Sequence, residues 1–165
     1  MEPLDLEPWH DFAVATAGAA GALAGLIMVA ISVNVKEIIA GPGLAARAGA
    51  TIASVMVILV SASALLIPAQ AALWLGLELV AFGCAALWFQ VDAARRMFAA
   101  STGTSLGNKI ANSVIGVGAL LWVILGGIVI ATGSPVGIAH VAVGFITIFI
   151  TAVLNAWVLM IEILR

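Results

Sequence analysis

From Ala48 to Gln90 the chain runs for more than 40 residues with one charged side chain, Glu78, in its interior. A single helix of that length would be about twice the ~30 Å hydrocarbon core of a bilayer, at about 1.5 Å per residue. Pro68-Ala69-Gln70 therefore marks a tight turn between two membrane spans. The whole chain has the same character. Only 8% of its 165 residues are charged and 64% are hydrophobic, whereas a soluble domain carries about 25% charged residues. So few charges cannot coat a surface that faces water, and the solvent of most of this surface must be lipid. The pattern predicts one all-α transmembrane domain over 1–165, with five spans at about 12–35, 48–67, 71–90, 113–131 and 136–163. Ala40-Gly41-Pro42-Gly43, the polar stretch Ala99 to Asn112, and Gly133-Ser134-Pro135 are the remaining connections.

Charge then orients the spans. With five spans, one side receives the N-terminal segment and the turns at Pro68 and Ser134, and holds no Lys or Arg. The other side holds all six: Lys36, Arg47, Arg95, Arg96, Lys109 and Arg165. Basic residues stay cytoplasmic during insertion, so the N-terminus is expected outside and the C-terminus in the cytoplasm of a cell with an inner membrane. Glu2, Asp5 and Glu7 precede the first span without a basic residue, so this segment does not read as a secretory signal peptide.

The fifth span carries the most ordered polar pattern. His140, Gly144, Thr147, Thr151, Asn155 and Glu162 follow at intervals of 4, 3, 4, 4 and 7 residues. At about 100° per residue they fall within roughly 80° of one helix face. Polar groups sorted onto one line in a lipid-embedded helix imply that the line faces protein or water. It is a candidate pathway or a polar contact seam. Glu78 is the intramembrane acid of the third span. At about 1.5 Å per residue, Glu78 and His140 both lie within about 10 Å of the outer ends of their spans, and a Glu–His pair would lower the cost of an intramembrane carboxylate. Arg47, Thr51, Ser54 and Ser61 align on the second span with Ile58 and Leu65. Serine and threonine can bond their own helix carbonyls, which makes this a weaker signal than the fifth-span line.

The first span is rich in small residues. Gly21 and Gly25 form a GxxxG pair, and Gly18 with Ala22 a second small-xxx-small pair. Small faces let backbones approach closely in lipid. Asp11, Ala15, Gly18, Ala22, Gly25, Val29 and Lys36 share one face, which is either an oligomer contact or the lining of a narrow pore. Thr16 and Asn34 lie opposite and are expected to bond across to neighbouring helices.

No motif for catalysis, phosphate binding or metal ligation is present, so no enzyme activity, cofactor or metal is expected. Nothing points to nucleic acid. Cys84, the single cysteine, reads as a small core residue. Trp9, Trp74 and Trp88 read as membrane anchors, and Trp122 and Trp157 as core.

Asp11-Phe12 with Gly18, Ala22-Leu23, Gly25-Leu26, Val29, Ser32 and Asn34 resembles a family of small bacterial multi-pass membrane proteins, some of which are labelled membrane-protease modulators. That resemblance implies docking on another membrane protein or membrane protease. Ala22 to Ala30 also resembles the pore helix of Orai calcium channels, but Val33 stands where that family has its selectivity glutamate, and five spans with an outside N-terminus depart from its topology. The expectation is a small homo-oligomeric channel or ion-conducting pore in contact with membrane lipid. The alternative is a structural or regulatory subunit bound to another membrane protein.

Overall fold

A computed structural model of the chain describes residues 6–41, 43–99 and 106–163, apart from the side chains of Leu106, Asn108, Lys109 and 158–163. The described residues form six α-helices: α1 His10–Val33, α2 Val35–Ala40, α3 Leu44–Leu65, α4 Ala72–Ala99, α5 Leu106–Ala131 and α6 Val136–Ile163. A 3₁₀ turn, Glu7–Trp9, leads into α1. All but α2 are long and apolar enough to cross a membrane. The shortest of these, α3, has 22 residues and spans about 33 Å at 1.5 Å per residue.

Several boundaries differ from the expected ones, and α3 begins at Leu44, about one turn before the expected start at 48. The helix α4 continues past Gln90 to Ala99, carrying Asp92, Arg95 and Arg96 as further turns rather than as loop. There Arg96 Nε donates to Asp92 at 2.7 Å across one exposed turn. The helix α5 begins at Leu106, so much of the stretch expected as a surface loop is helical. Its polar residues are compatible with helix where they stand in water beyond the bilayer. At the end of the first span, Asn34 interrupts the helix, and Lys36 and Glu37 lie in the short α2.

The chain reverses where the sequence demands. Gly133 adopts φ 87°. Its N–H donates to Ile130 O at 2.8 Å, and Ser134 N–H donates to Val129 O at 3.4 Å. This double closure is a Schellman C-cap with glycine in its left-handed position, and Pro135 prevents continuation. Gly43, φ 78°, caps the start of α3 beside Met97, at the end of α4.

Helices α3, α4, α5 and α6 pack as a ring of sequence neighbours, closed by contact between α3 and α6, and α1 lies against the outer side of α3. The core is Ile58, Leu65, Leu75, Leu79, Leu120, Val123, Ile130, Ile138, Val141 and Phe145. Glycine sets the spacing of α4, α5 and α6. A Cβ at Gly127 would meet Gly76 O at 2.9 Å, and Gly76 in turn abuts Gly127 O. A Cβ at Gly137 would meet Gly126 O at 2.5 Å, and one at Gly126 would meet Gly137 O at 2.7 Å. The adjacent pair Gly126-Gly127 thus presses α5 against both its neighbours. Lower down, Gly83 receives Ile124, Gly116 receives Gln90, and Gly144 receives Val123.

These contacts make a sharp test. Gly137→Ala places a methyl group on a backbone carbonyl that has no room to yield, and should lower stability by about 1–3 kcal/mol. Gly49→Ala, on α3 with nothing within 4 Å of the new carbon, should leave stability unchanged or raise it by up to ~1 kcal/mol. Thermal unfolding in detergent measures both, and equal melting temperatures for the two variants would contradict the packing described.

Candidate functional site: the polar line inside the bundle

The polar line of α6 runs along one edge of the helix's buried face. Gly144 packs on α5, where an added Cβ would lie 3.0 Å from Ala119 O. Thr147 and Thr151 are half-buried. Their hydroxyls donate to their own helix: Thr147 to Val143 O at 2.8 Å, and Thr151 to Thr147 O and Ile148 O, both at 3.0 Å. Asn155 is buried, with 9% of its surface exposed. Gly144 and Asn155 are therefore turned inward, and His140, Thr147 and Thr151 stand at the bundle edge. The helix α6 includes Glu162, but its side chain lies outside the described residues.

Asn155 has a partner that the weaker α3 pattern supplies. Arg47 Nη2 donates to Asn155 Oδ1 at 3.1 Å. Arg47 is only 8% exposed. Arg47, Thr51, Ser54, Ile58, Ser61 and Leu65 are all buried, so the line that carried less weight in the sequence is the inner face of the most enclosed helix. Thr51 and Ser54 donate to Arg47 O and Ala50 O, both at 3.0 Å. Their local bonding is why the sequence pattern hides this face. A hydroxyl that satisfies itself on its own helix gives no sign, in sequence, of which way it faces. The guanidinium is different, because it reaches across to an acceptor on α6.

The expected Glu78–His140 pair does not form. Glu78 Oε2 accepts from Gln70 Nε2 at 2.8 Å, within the α3–α4 connection, where Ala69 holds a left-handed φ of 56°. His140 Nδ1 lies 3.0 Å from Val136 O, and its ring packs on Trp122 with centroids 5.3 Å apart. Depth along the membrane places the two residues at one end of the bundle but does not place them on facing sides. Each meets its hydrogen-bonding need close to its own helix.

Other expectations also change. Gly18 and Gly25 have nothing within 4 Å of an added Cβ, and Gly21 meets only Leu59 Cδ1 at 3.9 Å. Gly18, Ala22, Gly25 and Val29 are exposed. The close approaches within the subunit use the glycines of α4, α5 and α6. Thr16 is buried, yet bonds Phe12 O and Ala13 O of its own helix, and Asn34 bonds Ala30 O. Cys84 faces outward. Trp122 and Trp157 are exposed rather than core, whereas Trp9 packs edge-on against Phe12 at 5.9 Å. Hydropathy alone does not distinguish an outward residue from a core residue when the solvent is lipid.

No protein-family model, curated protein or solved structure matches the chain.

Removing Asn155 takes a hydrogen bond away from a buried guanidinium. Asn155→Leu should cost roughly 1–3 kcal/mol, more than the ~0.6 kcal/mol of an average interhelical hydrogen bond in a membrane protein. Combined with Arg47→Met, it should cost clearly less than the sum of the two single changes. Additive melting shifts in the double-mutant cycle would show that the bond couples nothing.

Proposed function

We propose that this chain is a subunit of a small homo-oligomeric channel of the bacterial inner membrane, with its N-terminus outside and its C-terminus cytoplasmic. On this reading it has no enzymatic role, and ions pass along an axis where copies meet. One observation carries the proposal. Asp11, Ala15, Gly18, Ala22, Gly25 and Val29 of α1, with Lys36 of α2, are all exposed. The residues that seat α1 on the subunit, Ala13, Thr16, Ala20 and Ile27, lie on the opposite side of the helix.

Outward residues of the other helices include many large ones, Trp74, Leu77, Trp88, Leu125, Ile150 and Trp157 among them. Large side chains suit lipid contact. Small ones forfeit dispersion contacts there, but permit close approach of a second helix. A second copy of the same face satisfies this requirement. A passage between copies is also favoured by the filled interior of the subunit, whose Leu75, Leu79, Leu120 and Phe145 are fully enclosed.

The second reading is a structural or regulatory subunit that docks through this face on another membrane protein or membrane protease. It is favoured by the apolar character of this face from Ala15 to Val29.

Gly18→Leu and Gly25→Leu separate these readings. A Cβ added at either position meets nothing within 4 Å in the subunit, and both positions are exposed, so the monomer fold should persist. The channel reading expects a smaller particle in detergent and loss of ion flux in liposomes. Wild-type oligomers that conduct no ions would support the regulatory role, and a wild-type monomer would exclude the channel. Orientation has its own check. Compartment reporters fused to the two ends should report opposite sides of the membrane, and two cytoplasmic ends would overturn the five-span orientation.

A further inference from the structure

We infer that the outward face of α4, at the basic end of the bundle, holds an anionic phospholipid, with its phosphate on Arg95 and its acyl chains against Trp88. This surface is separate from the small-residue face of α1 and does not rest on how copies associate. Leu75, Leu79, Gly83, Ala86, Gln90 and Ala93 turn α4 into the bundle. Trp88 and Arg95 lie on the opposite side, within roughly 20° of each other at about 100° per residue. Both are exposed, and Trp88 has 69% of its surface free.

Depth along the helix assigns the two side chains to different layers. The helix α4 begins at Ala72. At about 1.5 Å per residue, Trp88 lies about 24 Å along it and Arg95 about 35 Å. With the start of α4 at the opposite boundary of a ~30 Å hydrocarbon core, the indole stands inside the near margin of that core and the guanidinium just outside it. Phe98, about one turn beyond Arg95, is also exposed. An apolar ring there holds this stretch at the membrane surface, because free in water it would lose the benefit of burial. Phe89 meets Trp88 edge-on, with ring centroids 5.2 Å apart, and supports the indole from the side.

Charge selects the headgroup. Asp92 is the acid nearest Arg95 along α4, and it is already engaged: Arg96 Nε donates to it at 2.7 Å. Arg95 forms no ion pair among the described residues. Two arginines and one acid leave a positive charge uncompensated at this level of the helix. A guanidinium offers a planar fork of donors that matches phosphate oxygens two at a time, and lipid phosphate is the abundant acceptor at this depth. A choline or ethanolamine headgroup would bring its own cation beside the two arginines. A glycerol headgroup brings none, so the lipid keeps its net negative charge and is attracted as a whole. The indole, about 10 Å nearer the bilayer centre, then meets the upper part of the same lipid's chains.

Quenching of tryptophan emission by brominated lipid tests the site. The full chain is reconstituted in phosphatidylcholine vesicles that contain a minor fraction of either phosphatidylglycerol or phosphatidylcholine brominated on its acyl chains. The difference in emission between the wild-type and Trp88→Phe proteins isolates Trp88. Its quenching should favour the brominated phosphatidylglycerol by about fivefold in effective affinity, the worth of one basic side chain at a charged surface. Arg95→Gln, measured against the same change combined with Trp88→Phe, should abolish that preference. Lys36→Gln removes an exposed charge of the same sign from α2 at the same end and should leave the preference in place. Equal quenching of wild-type Trp88 by the two lipids overturns the site. So does an equal loss of preference in the Arg95→Gln and Lys36→Gln proteins, which would show diffuse attraction to the surface. Release of the preference by added inorganic phosphate, at constant ionic strength, would show a site for free phosphate and overturn the lipid assignment.

Discussion

Backbone contact at glycine sets the form of this bundle. In water, helices are driven together by burial of apolar surface; in lipid that force is nearly absent, because acyl chains are as apolar as leucine. What remains is close packing, and it is strongest where no side chain intervenes. Gly76 against Gly127 and Gly126 against Gly137 provide it reciprocally. Because Gly126 and Gly127 are adjacent in sequence, they point to different sides of α5, and one dipeptide fixes that helix against both neighbours. The large core side chains, Leu75, Leu79, Val123, Ile130 and Val141, then fill the space that these contacts define.

The polar residues follow a second rule. Within hydrocarbon every donor needs an acceptor, and the nearest is usually the carbonyl one turn back. Thr16, Ser32, Thr51, Ser54, Ser63, Thr147 and Thr151 all use it. These side chains cost the fold little and join no two helices. Arg47 and Asn155 behave differently, because they bond each other across two helices. Their bond ties the start of α3 to the lower part of α6, two elements more than a hundred residues apart in sequence. It secures the basic end of the ring, where glycine contacts are fewer.

The two rules explain what the sequence made legible. Number, type and order of the long helices follow from hydropathy and from breakers such as Gly133 and Pro135, and the helices lie where those signals put them. Helix ends were less legible at 90–112, because a helix that leaves the bilayer continues with polar residues that read as loop. Facing was the hardest property. A hydropathy pattern separates inside from outside only when the outside is water, and so Cys84, Trp122 and Trp157 gave no sign that they face outward. The α6 line was visible because it contained His and Asn. The α3 line is weak in sequence because its serines and threonines can be satisfied locally, and Arg47 lies just ahead of the expected span as one of the basic residues that orient it. Glycine in α1 and glycine in α5 look alike in sequence. Only packing distinguishes Gly25, with open space around it, from Gly126, with a carbonyl against it.

That last difference bears on why α1 is built as it is. A peripheral helix held on one side needs only an apolar outer face, and leucine serves that purpose at no cost to helix propensity. Glycine costs about 1 kcal/mol relative to alanine in a helix interior, and Gly18 and Gly25 recover none of this through contacts inside the subunit. Gly126 and Gly137 recover theirs through close backbone packing. By the same physics, the glycines of α1 are compensated only if a second helix approaches them, and the buried residues Ala13, Thr16, Ala20 and Ile27 hold α1 with that face turned outward. The subunit is therefore complete on one side of α1 and energetically unfinished on the other.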